Sequence, residues 1–231
     1  MHDFLLTWCP KLVWAFAAFH LLMLVVFFAR YKKTKNALFL LSGLVTCGLF
    51  YDALILSLGT VLPEGFVLKA LSQVRYISHG GLIPLLLPIC AYALGWKKFG
   101  KILVWIVTGA LIAVGLASGV VTSTAPENVA LIRYACVKES TPGWAYTVST
   151  AVLAYGMVIP LIIAGLFVWI KQKTPALFLS GFFMFAFSAL GPATGNFDLI
   201  FFISMAGEVL MVLFFFIYAC VNQRKKQREH F

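Results

Sequence analysis

Charge is what this sequence has least of. Only 11% of its 231 residues are Asp, Glu, Lys or Arg, and no more than 8 of these are acidic. Soluble globular domains carry about 25% charged residues, so a water-exposed globule is excluded. Nor is there a polar stretch long enough to form a separate soluble domain. Cysteine and histidine are few, 5 and 4. Cys47, Cys90 and Cys220 fall inside apolar runs at no metal-ligand spacing, which leaves them as small packing residues and gives no metal site. There is no internal repeat, which argues against the inverted-repeat transporter plan. No basic region precedes the first apolar run, only Asp3, so that run reads as a retained helix rather than a cleaved leader.

What is present is apolar. Hydrophobic residues make up 62% of the chain, and the mean hydropathy is +0.96. The apolar runs fall at about 11–30, 36–59, 69–95, 101–122, 145–170, 175–192 and 197–221, each near the ~20 residues needed to cross hydrocarbon. A strand with open edges cannot satisfy its backbone in lipid, so all seven read as helices. The expected fold is all-α: residues 1–231 as a single domain of seven transmembrane helices, multi-pass in the cell membrane.

The loops orient it. Basic clusters follow the first, third, fifth and seventh runs: Arg30, Lys32, Lys33 and Lys35; Lys97, Lys98 and Lys101; Lys171 and Lys173; Arg224, Lys225, Lys226 and Arg228. The other loops carry Asp3, Glu64, Glu127, Glu139 and Asp198. The positive-inside rule then places the N-terminus outside and the C-terminus in the cytoplasm. Trp8 and Trp144 mark the outer interface and Trp96 and Trp169 the inner one. The net charge of +10 is thereby a matter of topology and anionic lipid, not of nucleic acid. The longest loop, about 123–144, is external and holds Cys136, while Cys9 lies just outside the first run. Both face an oxidising compartment and are candidates for a disulfide, two free thiols being the alternative.

Ionisable residues inside apolar runs are costly and need partners or water. At ~1.5 Å per residue, Arg75 lies about 9 Å below the outer surface, Asp52 about 10 Å, His79 and His20 about 15 Å and Glu208 about 18 Å. Asp52, Arg75 and His79 share one layer, with Glu208 beneath it. Asp52 with Arg75 can be a purely structural tie between the second and third helices. His79 can be a satisfied core histidine. His20 stands on an otherwise apolar stretch, reads as packing or lipid-facing, and is left outside the candidate site. Arg75 and His79 are four apart and share a helix face. Gly80 and Gly81 admit a neighbouring backbone, and Pro84 interrupts the helix one turn later. The 22 phenylalanines are lipid-facing bulk and core, and can also line an apolar cavity.

The third run resembles the third helix of microbial (type 1) rhodopsins. Arg75-Tyr76 and, nine residues after the arginine, Pro84-Leu85-Leu86-Leu87 reproduce that family's spacing. Seven helices and an external N-terminus agree with the resemblance. The departures change the chemistry it implies. The family's carboxylate three residues after the arginine is Ser78, the bulky aromatic that follows is His79, and the threonine at the seventh position is Leu82. The seventh run holds no lysine between Asn196 and Val221; alignment on Ala206-Gly207-Glu208-Val209 puts Glu208 at the retinal-lysine position and Ser204 at that of the preceding aspartate. Without an amine there is no Schiff base, so no covalent cofactor is expected.

Three functions compete. The first is an opsin-like binder or sensor for a non-covalent apolar ligand, with Asp52, Arg75, Tyr76, Ser78, His79, Ser204 and Glu208 as the polar end of its pocket. The second is a proton or ion channel or transporter using the same residues as a relay. The third and weakest is a membrane-embedded hydrolase built on Ser78, His79 and Asp52; neighbouring Ser78 and His79 point about 100° apart on a helix. Catalytic residues are not assigned, and the chain is expected not to be an enzyme. Expected partners are the lipid bilayer and a small apolar ligand or ions, with self-association left open.

Overall fold

The computed structural model describes residues 2–195 and 197–228. Among them are seven helices long and apolar enough to cross a membrane: His2–Thr34, Ala37–Leu58, Phe66–Ala93, Lys98–Val121, Gly143–Gln172, Ala176–Ala193 and Phe197–Lys225. The sequence places all seven. The first helix starts nine residues before its apolar run, and the seventh continues to Arg228. Asn196, the expected entry to the seventh, lies outside the described residues.

Local chemistry sets the boundaries. Asn36 caps the second helix, its side chain accepting from the Leu38 N–H at 3.1 Å. Gly95, at φ +68°, closes the third helix in the left-handed region that glycine enters without strain. Pro84 has no N–H to bond a carbonyl one turn back, and the third helix tightens to a 3-10 turn at Ile83–Leu85. The fifth helix widens to a π-helical segment at Val148–Leu153. There the Ser118 hydroxyl of the fourth helix donates to the Ala145 carbonyl at 2.9 Å and lies 3.0 Å from Ser149 Oγ. A side chain inserted at a helix ladder is a recognised cause of such irregularity.

Consecutive helices pack as neighbours and the first meets the seventh, so the bundle closes into a ring. Glycine sets its tightest seam. A Cβ on Gly80 would strike the backbone of Gly115, and one on Gly119 that of Ile77 at 2.6 Å. Third and fourth helices therefore touch backbone to backbone, as the small residues permit. Gly81 instead faces the Leu116 side chain.

The two ends of the bundle differ. Towards the basic end, Phe27, Phe39, Leu86, Ile89, Leu161, Phe215 and Tyr218 form a closed core. A polar clasp seals it: Gln172 Nε2 and Tyr218 OH both donate to the Ala93 carbonyl, at 3.0 and 3.2 Å, and Lys225 Nζ donates to that of Gln172. The opposite end carries the one departure from helix among the described elements. Thr124–Val129 (β1) and Leu131–Cys136 (β2) pair antiparallel, with Ala130 at the tip at φ +62°. Glu127 and Arg133 face each other across the ladder and form an ion pair. The hairpin does not stand away from the helices. Ile132 N–H donates to the Gly59 carbonyl at 2.9 Å, Tyr134 OH to that of Gly65 at 3.2 Å, and the Arg133 guanidinium lies 4.4 Å over the Phe201 ring.

The hairpin also answers the disulfide expectation. Cys9 and Cys136 are both free. Cys9 packs in one cluster with Leu131 at the near end of β2. Five extended residues of ~3.3 Å each then carry Cys136 roughly 16 Å along the strand from Leu131. At that end its Sγ meets Thr141 Oγ1 at 3.5 Å.

Candidate functional site

The site grows from Arg75. Position 75 lies two helical turns before the Pro84 break, on the face of the third helix turned to the second. Asp52 reaches it from there: Arg75 Nε is 3.3 Å from Asp52 Oδ1. Arg75 Nη2 also donates to Tyr76 OH at 3.3 Å and to the Tyr134 carbonyl of β2 at 3.4 Å. Tyr76 OH donates to the same carbonyl at 3.2 Å. Arg75 is 8% exposed, so each contact replaces water it has lost. The hairpin is therefore part of the site, because a strand carbonyl supplies a third acceptor where the helices offer one carboxylate.

Beside this cluster lies a cavity of about 460 Å³. The second, third, fifth, sixth and seventh helices all contribute to its wall. Its polar lining comprises Asp52, Arg75, Tyr76, His79, Ser149, Thr150, Ser188, Ser204 and Glu208, and the rest is aliphatic or aromatic. A smaller space of about 240 Å³ shares Asp52, Arg75, Tyr76 and His79 and extends to Cys136 beneath the hairpin. The charged cluster borders both. Tyr155 and Phe185, edge to face at 6.5 Å, line the larger cavity and are also exposed on the bundle's flank, so it approaches the surface between the fifth and sixth helices. The π-helical segment contributes Ser149, Thr150 and Leu153 to this wall.

Of the residues singled out by sequence, Asp52, Arg75, Tyr76, His79, Ser204 and Glu208 meet at this cavity. Ser78 does not. Its hydroxyl donates to the Arg75 carbonyl at 2.9 Å, and it is absent from the lining of either space. Ser204 likewise donates to its own helix, at the Phe201 carbonyl, 2.9 Å away. Glu208 is 5% exposed, and its Oε2 has no hydrogen-bond partner among the described residues. It lies within electrostatic reach of Asp52 and Arg75, yet forms no ion pair among those residues. His79 sits in the field of the same pair. No group of three His, Cys, Asp or Glu side chains among the described residues could hold a metal ion.

One residue left outside the site by sequence belongs beside it. His20 is 0% exposed, and neither ring nitrogen meets a hydrogen-bond partner among the described residues. It faces the bundle interior, close enough to Asp52 to feel its charge. The signal was spacing: Cys9, Val13, Ala17 and His20 are buried at steps of three and four, one helical stripe. The other faces of the helix are equally apolar, which hid the stripe.

No protein-family model and no curated protein matches the chain.

Proposed function

We propose that this chain is an opsin-like membrane protein, lacking the retinal lysine, that holds a small apolar ligand non-covalently. In this reading the hairpin end faces outside and the basic end the cytoplasm. The observation that carries it is the cavity of about 460 Å³, a size typical of small-ligand sites, roughly 300–1,000 Å³. Its walls are mainly apolar, its polar groups converge on one side, and it approaches the bundle's flank, where a membrane-dissolved molecule would meet it. The relay reading needs a path onward through the basic half. Leu86, Ile89 and Phe215 fill that half, which favours a site that holds a ligand over one that passes ions.

Solvent extraction of the purified protein, followed by mass spectrometry, tests this. A defined apolar molecule should co-purify with the native chain and be lost from Ser188→Trp, which fills the cavity from the sixth helix. If the native chain carries no more apolar material than Ser188→Trp, and Ser188→Trp is the more stable protein, the space is a packing defect and the proposal fails.

A further inference from the structure

We propose that the ligand carries a cationic head, an alkyl or aralkyl ammonium, and that Glu208 is its anchor. This deepens the pocket reading and rests on it. The argument is an accounting of charge and donors around the cavity. Two carboxylates, one guanidinium and one imidazole line it: Asp52, Glu208, Arg75 and His79, and His79 forms no ion pair with Glu208 among the described residues. Arg75 pairs with Asp52 through Nε, and its Nη2 donates to Tyr76 OH and the Tyr134 carbonyl. No lysine lines the cavity, and no ion pair forms on Glu208 among the described residues.

Neighbouring hydroxyls do not make up the deficit. A hydroxyl has one proton to donate, and those of Ser204 and Thr150 go to the carbonyls of Phe201 and Tyr146. Among the described residues Glu208 Oε2 is a buried acceptor without a donor, in a residue that forms part of the cavity wall. Leaving such a group unmet is expensive. The missing partner is one that brings both positive charge and N–H groups, and an ammonium brings both. A carboxylate head would meet Glu208 as a like charge. Apolar wall residues such as Val158, Met184 and Phe185 suit a hydrocarbon tail. The inferred ligand is therefore an amphiphilic amine, head towards the seventh helix and tail towards the fifth and sixth.

The test uses the full chain in phosphatidylcholine nanodiscs at neutral pH. Decylamine, 1-decanol and decanoate have the same tail and different heads. Affinities follow from the rise in unfolding temperature with ligand concentration. Decylamine should bind roughly 10- to 100-fold more tightly than decanol, the range expected for a charge-assisted hydrogen bond in a buried site. Glu208→Gln should remove that preference and leave decanol binding unchanged. Ser188→Trp should abolish binding of both. Equal affinity for decylamine and decanol in the native chain overturns the amine assignment and leaves the pocket standing. Tightest binding by decanoate overturns it too, making Arg75 the anchor. An amine preference that survives Ser188→Trp places the amine elsewhere and overturns it as well. If none of the three binds, the pocket reading falls with it. The head-group ranking and Ser188→Trp decide the matter even where Glu208→Gln does not fold.

Discussion

Removing Arg75 should destabilise the bundle more than any other single polar truncation in its cluster. Arg75→Ala strands Asp52, whose carboxylate loses its 3.3 Å partner in a site where only 17% of its side-chain surface is exposed. Breaking a buried pair in this way typically costs ~3–5 kcal/mol. The Tyr134 carbonyl keeps Tyr76 OH at 3.2 Å, so it is not orphaned and adds little. Asp52 borders a cavity, and any water there would lower the cost, which sets the expectation at the lower end, about 3 kcal/mol. Asp52→Asn removes the charge and keeps an acceptor oxygen, so about 2 kcal/mol is expected. If the two residues act as one unit, the double variant should cost about as much as Arg75→Ala alone, a coupling of roughly 2 kcal/mol. Equilibrium unfolding in mixed detergent micelles, followed by tryptophan fluorescence, measures all three. Additivity to within about 0.5 kcal/mol would refute the pairing. A coupling confined to Glu208→Gln would move the partner of Arg75 one layer deeper than the 3.3 Å contact places it.

Three further outcomes are expected. Gly80→Val should lower the unfolding temperature sharply and reduce the yield of folded protein, because its Cβ would strike the backbone of Gly115 and the third and fourth helices would have to separate; an unchanged melting curve would refute the close seam. Cysteines introduced at Glu64 or Glu139 should react with an impermeant maleimide on intact cells, and those at Lys98 or Lys173 only after permeabilisation; the reverse pattern would invert the proposed orientation. All-trans retinal added to the purified protein should give no borohydride-reducible adduct, since no lysine lines the cavity; an adduct mapped by peptide mass to any helix would remove the basis of the lysine-lacking reading.

Run length and hydropathy determined the helices, because both are local quantities that a lipid-spanning helix must satisfy whatever it packs against. The pairing of Asp52 with Arg75 was legible for a similar reason. Depth along a helix is arithmetic, and a buried charge at a given depth accepts only a partner at that depth. Rotation about the helix axis was not legible. In helices apolar on every side, no periodicity says which face turns inward, so packing and lipid exposure stayed open for His20, which is 0% exposed and therefore packed inside the bundle. For the same reason Ser78 stood with Arg75 in the sequence, while its hydroxyl donates to the Arg75 carbonyl away from the cavity. Only the tertiary structure could bring the Tyr134 carbonyl to Arg75, 59 residues away in the chain. Ladder pairing and contacts with three helix ends fix that hairpin, and no single stretch of sequence contains them. The cavity too belongs to the assembled ring, since it is the space that side chains from five helices leave unfilled.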